Sequence, residues 1–294
     1  MDQKDNFTLI NPQTGNLAFK LSHFEKDNPF DEIQRLNYYS LIWVKQGSGN
    51  VKADFSTYPL TENTLFSFSP YQPFVFEVDT AISGLVINFH PDFFCIHKHH
   101  HEVACNGVLF NNIYSPPLVR VDDKTKANFE MVIGQFESEI QNPALAQYEL
   151  LISYLKIFLI SASRLKTEQQ EDAQKVSKEN KEPFILQNLK NYIEAHYTTK
   201  HTASDYADML SITPKALTKL TKTHFNKTLT DMISERIIIE AKRELYLTNK
   251  SVKEIAYELG YSDEYYFSRF FKKNANVSPQ LYRESVGFDK ASAT

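Results

Sequence analysis

Residues 251–283 read SVKEIAYELGYSDEYYFSRFFKKNANVSPQLYR, and their spacing predicts two short helices folded across a tight turn. Val252, Ile255, Ala256 and Leu259 recur at i, i+3, i+4 and i+7, the apolar stripe of one helix. Gly260 follows as a residue that tolerates left-handed backbone and can end it. Ser262 and Asp263 can accept hydrogen bonds from the free N–H groups of the next helix, whose Phe267, Phe270 and Phe271 form a second stripe. At about 100° per residue, Tyr265, Ser268, Arg269 and Lys272 project away from those rings. A helix with such a face fits the DNA major groove, where an arginine can fork two donors onto guanine. On this helix alone, a solvated basic face explains the same residues equally well.

A second copy of the pattern lies about fifty positions earlier. Ala203, Ala207 and Leu210 make the first stripe, and Ser211 and Ile212 the turn. Thr213 caps the next helix with Pro214 at its first position, and Leu217 and Leu220 make the second stripe. Lys215, Thr218, Lys219 and Lys222 stand fifty residues before Tyr265, Ser268, Arg269 and Lys272. Before the turn the offset is forty-nine, since Ala207 matches Ala256, so the second copy carries one extra turn residue. Duplication is hard to explain as a solvated face.

Between the copies, Thr230 to Leu247 has an unbroken stripe of Ile233, Ile237, Ala241 and Leu245 and predicts one long helix. Its eighteen residues would span roughly 27 Å, compatible with two heads on major-groove faces about 34 Å apart. An opening helix over Phe184–Tyr197 should turn Ile185, Leu189, Tyr192 and Ile193 inward. A closing helix should start at Ser278–Pro279 and carry Leu281, Tyr282 and Arg283.

On these residues, 183–288 closely resembles the DNA-binding domain of the AraC/XylS family of bacterial transcription regulators, with helix-turn-helix motifs at 202–226 and 251–276. The Ile255–Ala256 pair, Gly260, Phe267, Arg269, Phe271–Lys272, Ser278–Pro279 and Tyr282–Arg283 carry the resemblance. It implies that Lys215, Thr218, Lys219, Glu264, Tyr265, Ser268 and Arg269 read bases. Lys222, Lys272 and Lys273 are then the expected phosphate contacts. The family usually has glycine where this chain has Asn226 and Asn276; asparagine also accepts left-handed geometry.

The front of the chain is different. From Phe7 to Val119, short runs such as Tyr38–Val44, Val51–Phe55, Thr64–Phe68, Phe74–Val78 and Gly84–Phe89 alternate with turn residues, which predicts an antiparallel sandwich or barrel. Phe66 and Phe68 alternate with serines, so one apolar face per strand is expected. WVKQGSGNV, DFSTYPL and NTLFSFSPYQPF together resemble the cupin-like sensor barrel found ahead of this DNA-binding half in the same family. The stretch after Ser69–Pro70, where metal-dependent cupins place histidine, reads Tyr71, Gln72, Pro73 and Phe74, so no metal and no cofactor are expected. Trp43, Phe55, Phe66 and Phe68 are candidate linings of an effector pocket, and plain core packing is the other reading.

Cys95, His97, His99, His100, His101 and Cys105 are ligand types that suit zinc or copper, without the paired spacing of a metal site. After Pro116–Pro117, Phe129, Val132, Ile133 and Phe136 stripe one helix, and Tyr148, Leu151, Ile152, Leu155, Phe158 and Leu159 a second. The second stripe is wide enough to face either the barrel or the same helix of a second chain. Nine of the seventeen residues in Lys166–Glu182 are charged, which predicts a solvated tether.

The expected class is therefore α+β: a cupin-like antiparallel β-barrel over 1–120, a helical appendage over 121–166 and a charged linker over 167–182. An all-α double helix-turn-helix domain follows over 183–288. The net charge of −4 splits accordingly. Residues 1–182 hold 16 Lys and Arg against 23 Asp and Glu (−7), residues 183–288 hold 15 against 12 (+3), and Asp289 and Lys290 cancel. So mild a positive balance implies weak non-specific affinity and salt-dependent binding.

No serine-hydrolase elbow, zinc-protease, P-loop or dinucleotide motif is present, so an enzyme is not expected. No signal segment or long apolar run appears, which fits a cytoplasmic protein with no membrane partner. The expectation is an activator that binds double-stranded DNA, with RNA polymerase, a small-molecule effector and a second copy of the chain as further partners. A ligand-binding or metal-sensing protein with a helical protein-interaction module is the alternative.

Overall fold

A computed structural model of the 294-residue chain describes residues 6–11, 15–54, 56–176 and 184–286. Phe55, residues 177–183 and residues 287–288 of the expectations above lie outside the described residues. The chain divides into two compact units, Met1–Asn112 with Pro117–Gln170, and Ile113–Pro116 with Glu171–Thr294.

The first unit is built on β1 (Asn6–Ile10), β2 (Leu17–Glu25), β3 (Tyr39–Gln46), β4 (Gly49–Ala53), β5 (Ser56–Leu60), β6 (Thr64–Phe68), β7 (Phe74–Val78), β8 (Ser83–Phe89) and β9 (Leu118–Arg120). A six-stranded sheet runs β1-β2-β8-β3-β6-β9 and a three-stranded one β5-β4-β7, with every pairing antiparallel. Gly47 and Gly49 form the β3–β4 corner at φ 105° and 156°. A Cβ at Gly49 would stand 2.3 Å from the Glu77 carbonyl oxygen, so only glycine lets these strands meet.

One expectation needs correcting here. The strands of the large sheet are greasy on both faces, because period-2 alternation sends neighbours into two separate cores. Ile42, Val44, Phe66, Phe68 and Val86 face Phe74 and Phe76 of the small sheet. Leu41, Trp43, Leu65, Leu85 and Ile87 face the other way. That second face is roofed by α2 (Asp123–Gln141) and α3 (Gln147–Val176), through Phe129, Val132, Ile133 and Phe136 and through Leu151, Leu155, Phe158 and Leu159. Phe129 and Phe158 stack at 4.1 Å, and His23–Glu137 (2.7 Å) and Lys45–Glu130 (2.8 Å) pin α2 to the strands. The wide stripe of α3 is thus largely spent within its own chain. A short α1 (His100–Val103) lies between β8 and β9.

Helix α3 also overruns the expected tether. KTEQQEDAQKV contains neither Gly nor Pro and is rich in straight-chain helix formers, so its charge density does not stop the helix before Val176. Within it, burial pushes the Lys166 ammonium down from 10.5 to about 7. Between those values the unfolded chain holds a proton that the folded one releases, so stability should rise as pH climbs from about 7 to 10.5. Lys166→Met should abolish that slope: its gain in melting temperature over the parent should be largest at and below pH 7 and fade toward pH 10.5. Thermal melts across this range would read it, and parallel pH curves for the two proteins would contradict it.

The second unit comprises α4 (Phe184–His196), α5 (Ala203–Met209), α6 (Pro214–Phe225), α7 (Leu229–Leu247), α8 (Val252–Glu258), α9 (Glu264–Ala275) and α10 (Pro279–Val286). Helix α4 buries Leu189 and Ile193 as expected, with Leu186 buried in place of Ile185, which is half-buried like Tyr192. Helix α7 buries Ile233, Ile237, Ala241 and Leu245 as its period requires. It packs against α6, α8, α9 and α10 and so forms the spine of the unit.

Candidate nucleic-acid interface

Both helix pairs are set by local chemistry. Thr202 and Ser251 begin α5 and α8 with reciprocal caps: each hydroxyl accepts the N–H three residues on, and Asp205 and Glu254 accept the cap residue's own N–H. The Thr202 hydroxyl hydrogen bond holds the Asp205 carboxyl below its usual range, and hydrogen bonding from the Ser251 backbone does the same for Glu254. Four residues, Leu210–Thr213, join α5 to α6, and five, Leu259–Asp263, join α8 to α9. This is the extra turn residue that the offsets of forty-nine and fifty require.

The second helix of each pair begins at a side-chain cap, Thr213 accepting from the Ala216 N–H and Asp263 from the Tyr266 N–H. Each ends on an asparagine in left-handed geometry, Asn226 at φ 55° and Asn276 at φ 62°. Their N–H groups return to the carbonyls of Lys222 and Lys272, so the turn survives without glycine. Asn276→Gly should therefore leave stability within about 0.5 kcal/mol, whereas Asn276→Ala should cost about 1 kcal/mol. Urea denaturation of the two variants checks the order, and equal midpoints would contradict it.

The inner faces carry the core. Leu217 and Thr221 of α6 and Phe267, Phe271 and Ala275 of α9 are buried, with Leu220 and Phe270 half-buried. Phe271 meets Tyr282 of α10 at 5.8 Å and Tyr261 meets Phe267 at 5.3 Å, so α9 is held by rings on two sides. Tyr206 is buried in α5 and donates to the Lys200 carbonyl oxygen. It was absent from the stripe read above, although Ala203, Tyr206, Ala207 and Leu210 repeat the spacing of Val252, Ile255, Ala256 and Leu259.

The outer faces carry the chemistry. Lys215, Thr218, Lys219 and Lys222 of α6 are exposed, as are Tyr265, Arg269, Lys272 and Lys273 of α9, while Glu264 and Ser268 are half-buried. Tyr265 is 76% exposed, which no core role explains. The Thr218 hydroxyl donates to the Pro214 carbonyl at 2.9 Å, which fixes it and leaves its oxygen free to accept.

Charge pairing separates scaffold from interface. Arg236 bonds Glu194 at 2.8 Å and Glu240 at 3.1 Å, and Arg243 bonds Glu240 and Glu244. Arg283 donates to the carbonyl oxygens of Leu245 (3.0 Å) and Lys250 (2.6 Å), clamping α10 over the end of α7. Sequence reading missed that clamp, because nothing local marks a long-range carbonyl acceptor. Among the described residues, Lys215, Lys219, Arg269, Lys272 and Lys273 make no such pair. These five unspent cations lie on the two outer faces.

The two pairs also touch. Gly260, at φ 85°, lies against the segment between α4 and α5, where a Cβ would stand 1.8 Å from the Thr198 carbonyl oxygen. His201 of that segment stacks on Tyr261 at 5.5 Å. The turn of the second pair is thereby braced on the lead-in to the first.

The other candidate residues do not converge. Trp43 packs on Phe129 in the helix-covered core, while Phe66 and Phe68 lie in the core between the sheets, on the opposite face. Cys95 and Cys105 are buried, and His99 stacks on Phe94 and meets Glu102 at 3.0 Å. Among the described residues, no group of three or more His, Cys, Asp or Glu side chains is placed to hold a metal ion. No helix among them is long and apolar enough to cross a membrane.

Two family profiles match: an AraC-like ligand binding domain over residues 25–151 and a helix-turn-helix domain over residues 206–285. An uncharacterized HTH-type transcriptional regulator of Pseudoalteromonas carrageenovora is 31% identical over 155 residues, 48% of this chain and 92% of its own length. The chain belongs to the AraC/XylS family of transcription regulators. The raffinose operon transcriptional regulatory protein RafR of Pediococcus pentosaceus is 33% identical over 116 residues, 40% of this chain. The HTH-type transcriptional activator Btr of Bacillus subtilis is 28% identical over 245 residues, 82% of this chain. The chain spans only 41% and 43% of the length of these two relatives. Within this family match, the helix-turn-helix profile runs from Tyr206 inside α5 to Ser285 inside α10 and so spans most of the first pair, α7 and all of the second pair.

Proposed function

We propose that the chain is a sequence-specific DNA-binding transcriptional activator whose N-terminal unit takes a small-molecule effector and pairs two copies of the chain. The observation that carries the reading is the doubled face of unpaired cations and hydroxyls on α6 and α9, in a unit whose other arginines are all engaged. Lys215, Thr218, Lys219, Glu264, Tyr265, Ser268 and Arg269 read base edges. Lys222, Lys272 and Lys273 near the helix ends meet phosphates.

Several further features support the reading. A relative named as a transcriptional activator favours activation, and RNA polymerase is the partner that an activator would need. Met131 of α2 and Ile157 of α3 are 61% and 46% exposed, apolar surface that a second copy would cover. For a family-matched DNA-binding regulator, the cytoplasm is the proposed compartment.

The test is to select bound fragments from the source genome and titrate the full chain against the best of them and against scrambled DNA. A regulator should prefer its selected site by about a thousandfold or more and weaken steeply with salt. Equal affinity for both DNAs would refute the proposal.

A further inference from the structure

The first unit contains a cavity of about 330 Å³ between α3 and the segment around α1, at the lower end of the size range of small-ligand sites. Val103, Ala104 and Val108 form one wall, and Ile160, Ser163 and Thr167, which share a face of α3, form the other. The lining is mostly apolar. Among the described residues, one buried polar side-chain atom of the lining lacks a partner: the Ser163 hydroxyl makes no hydrogen bond. Ser153 and Thr167 of the same helix return their hydroxyl protons to carbonyls four residues back, at 2.9 Å each. Ser163 does not, and keeps a donor for an occupant.

Charge at the mouth limits what that occupant is. Arg164, Glu102 and Glu168 line the cavity there. The Glu102 carboxylate is held at about 2, first by its hydrogen bond from Lys156 and then by that with His99, so it stays ionised. With Lys156 paired to Glu102, Arg164 and Glu168 cancel at the mouth, so an ion entering the mostly apolar lining would lose its hydration with no net opposite charge to offset the loss.

We infer that this cavity is the effector site and takes a compact uncharged molecule, an apolar body with one acceptor oxygen such as a ketone, ester or lactone, held by Ser163. The inference rests on the effector-controlled reading proposed above and moves the site from the barrel core to α3. Helix α3 continues to Val176, beyond Gln170 where the first unit ends, so an occupant touches an element that the chain follows out of that unit.

Calorimetric titration of the full-length protein, without DNA, tests the cavity with three matched probes: acetophenone, ethylbenzene and benzoate. Acetophenone should bind saturably at one site, and benzoate not at all. Ser163→Ala should weaken acetophenone about fivefold and leave ethylbenzene unchanged. Thr167→Phe, which fills the mouth from an exposed position, should weaken both at least about tenfold, with an unchanged thermal melt confirming that it folds. Absence of saturable acetophenone binding, an unchanged affinity in Ser163→Ala, or tighter binding of benzoate would overturn the inference. Separate titration with the selected DNA keeps the two readings apart. Lost probe binding with intact site preference sinks the cavity alone, and lost site preference with intact probe binding sinks the regulator.

Discussion

Replacing Gly260 by alanine is expected to lower the stability of the C-terminal unit by about 3 kcal/mol or more. Two penalties add at this position. The backbone sits at φ 85°, where any Cβ is strained, and the added carbon would lie 1.8 Å from the Thr198 carbonyl oxygen. Backbone cannot move aside as a flexible side chain does, so either α8–α9 or the α4–α5 segment must shift. Movement there pulls apart the His201–Tyr261 stack that braces one helix pair on the other. Urea denaturation should show the lowered midpoint, and site-selective DNA binding should fall even at temperatures where most molecules remain folded. Ser211, the counterpart of Gly260 forty-nine residues earlier, already adopts φ 55° and has a side chain, so crowding rather than the turn itself makes glycine necessary in the second copy. A Gly260→Ala protein with parental stability would show that this contact is not made.

Arg269→Ala is expected to cost about 1 to 3 kcal/mol of binding to the selected site and to relax preference at one base position. The side chain is exposed and engages no carboxylate or carbonyl among the described residues, so its removal should leave the urea midpoint unchanged. That independence matters, because it separates a recognition defect from a folding defect. Lys272→Ala, one turn further along the same face, should instead weaken binding on all sequences alike and flatten the salt dependence by about one unit. If Arg269→Ala behaves as Lys272→Ala does, Arg269 is a phosphate contact and base reading shifts to Tyr265 and Ser268.

How much of this was legible in the sequence depended on the range of the interaction. Caps, apolar stripes and the forty-nine and fifty residue offsets are set within one or two turns of helix, and they reappear in Thr202, Ser251, Thr213 and Asp263. Tyr206 was also within reach, had its ring been counted as apolar at the second stripe position. The face on which a strand residue lands is another matter. Trp43 and Phe66 both read as pocket linings, yet adjacent strands paired Trp43↔Leu65 and Ile42↔Phe66 send them to opposite sides. The large sheet's second apolar face follows from the α2–α3 roof, which no single strand announces. The helix running to Val176 shows a different limit: charge content predicted a tether, while the helix-forming character of the same residues prevailed. The Thr198–Gly260 contact and the Arg283 clamp join residues far apart in the chain, and local pattern carries no trace of either.

The central claim is that α6 and α9 are two reading heads on one spine, and hydroxyl-radical footprinting on a selected fragment tests it most directly. One chain should protect two patches about one helical turn apart, each facing a major groove, with Lys219→Ala erasing contrast in one patch and Arg269→Ala in the other. A single patch, or two substitutions that fade the whole footprint together, would contradict it.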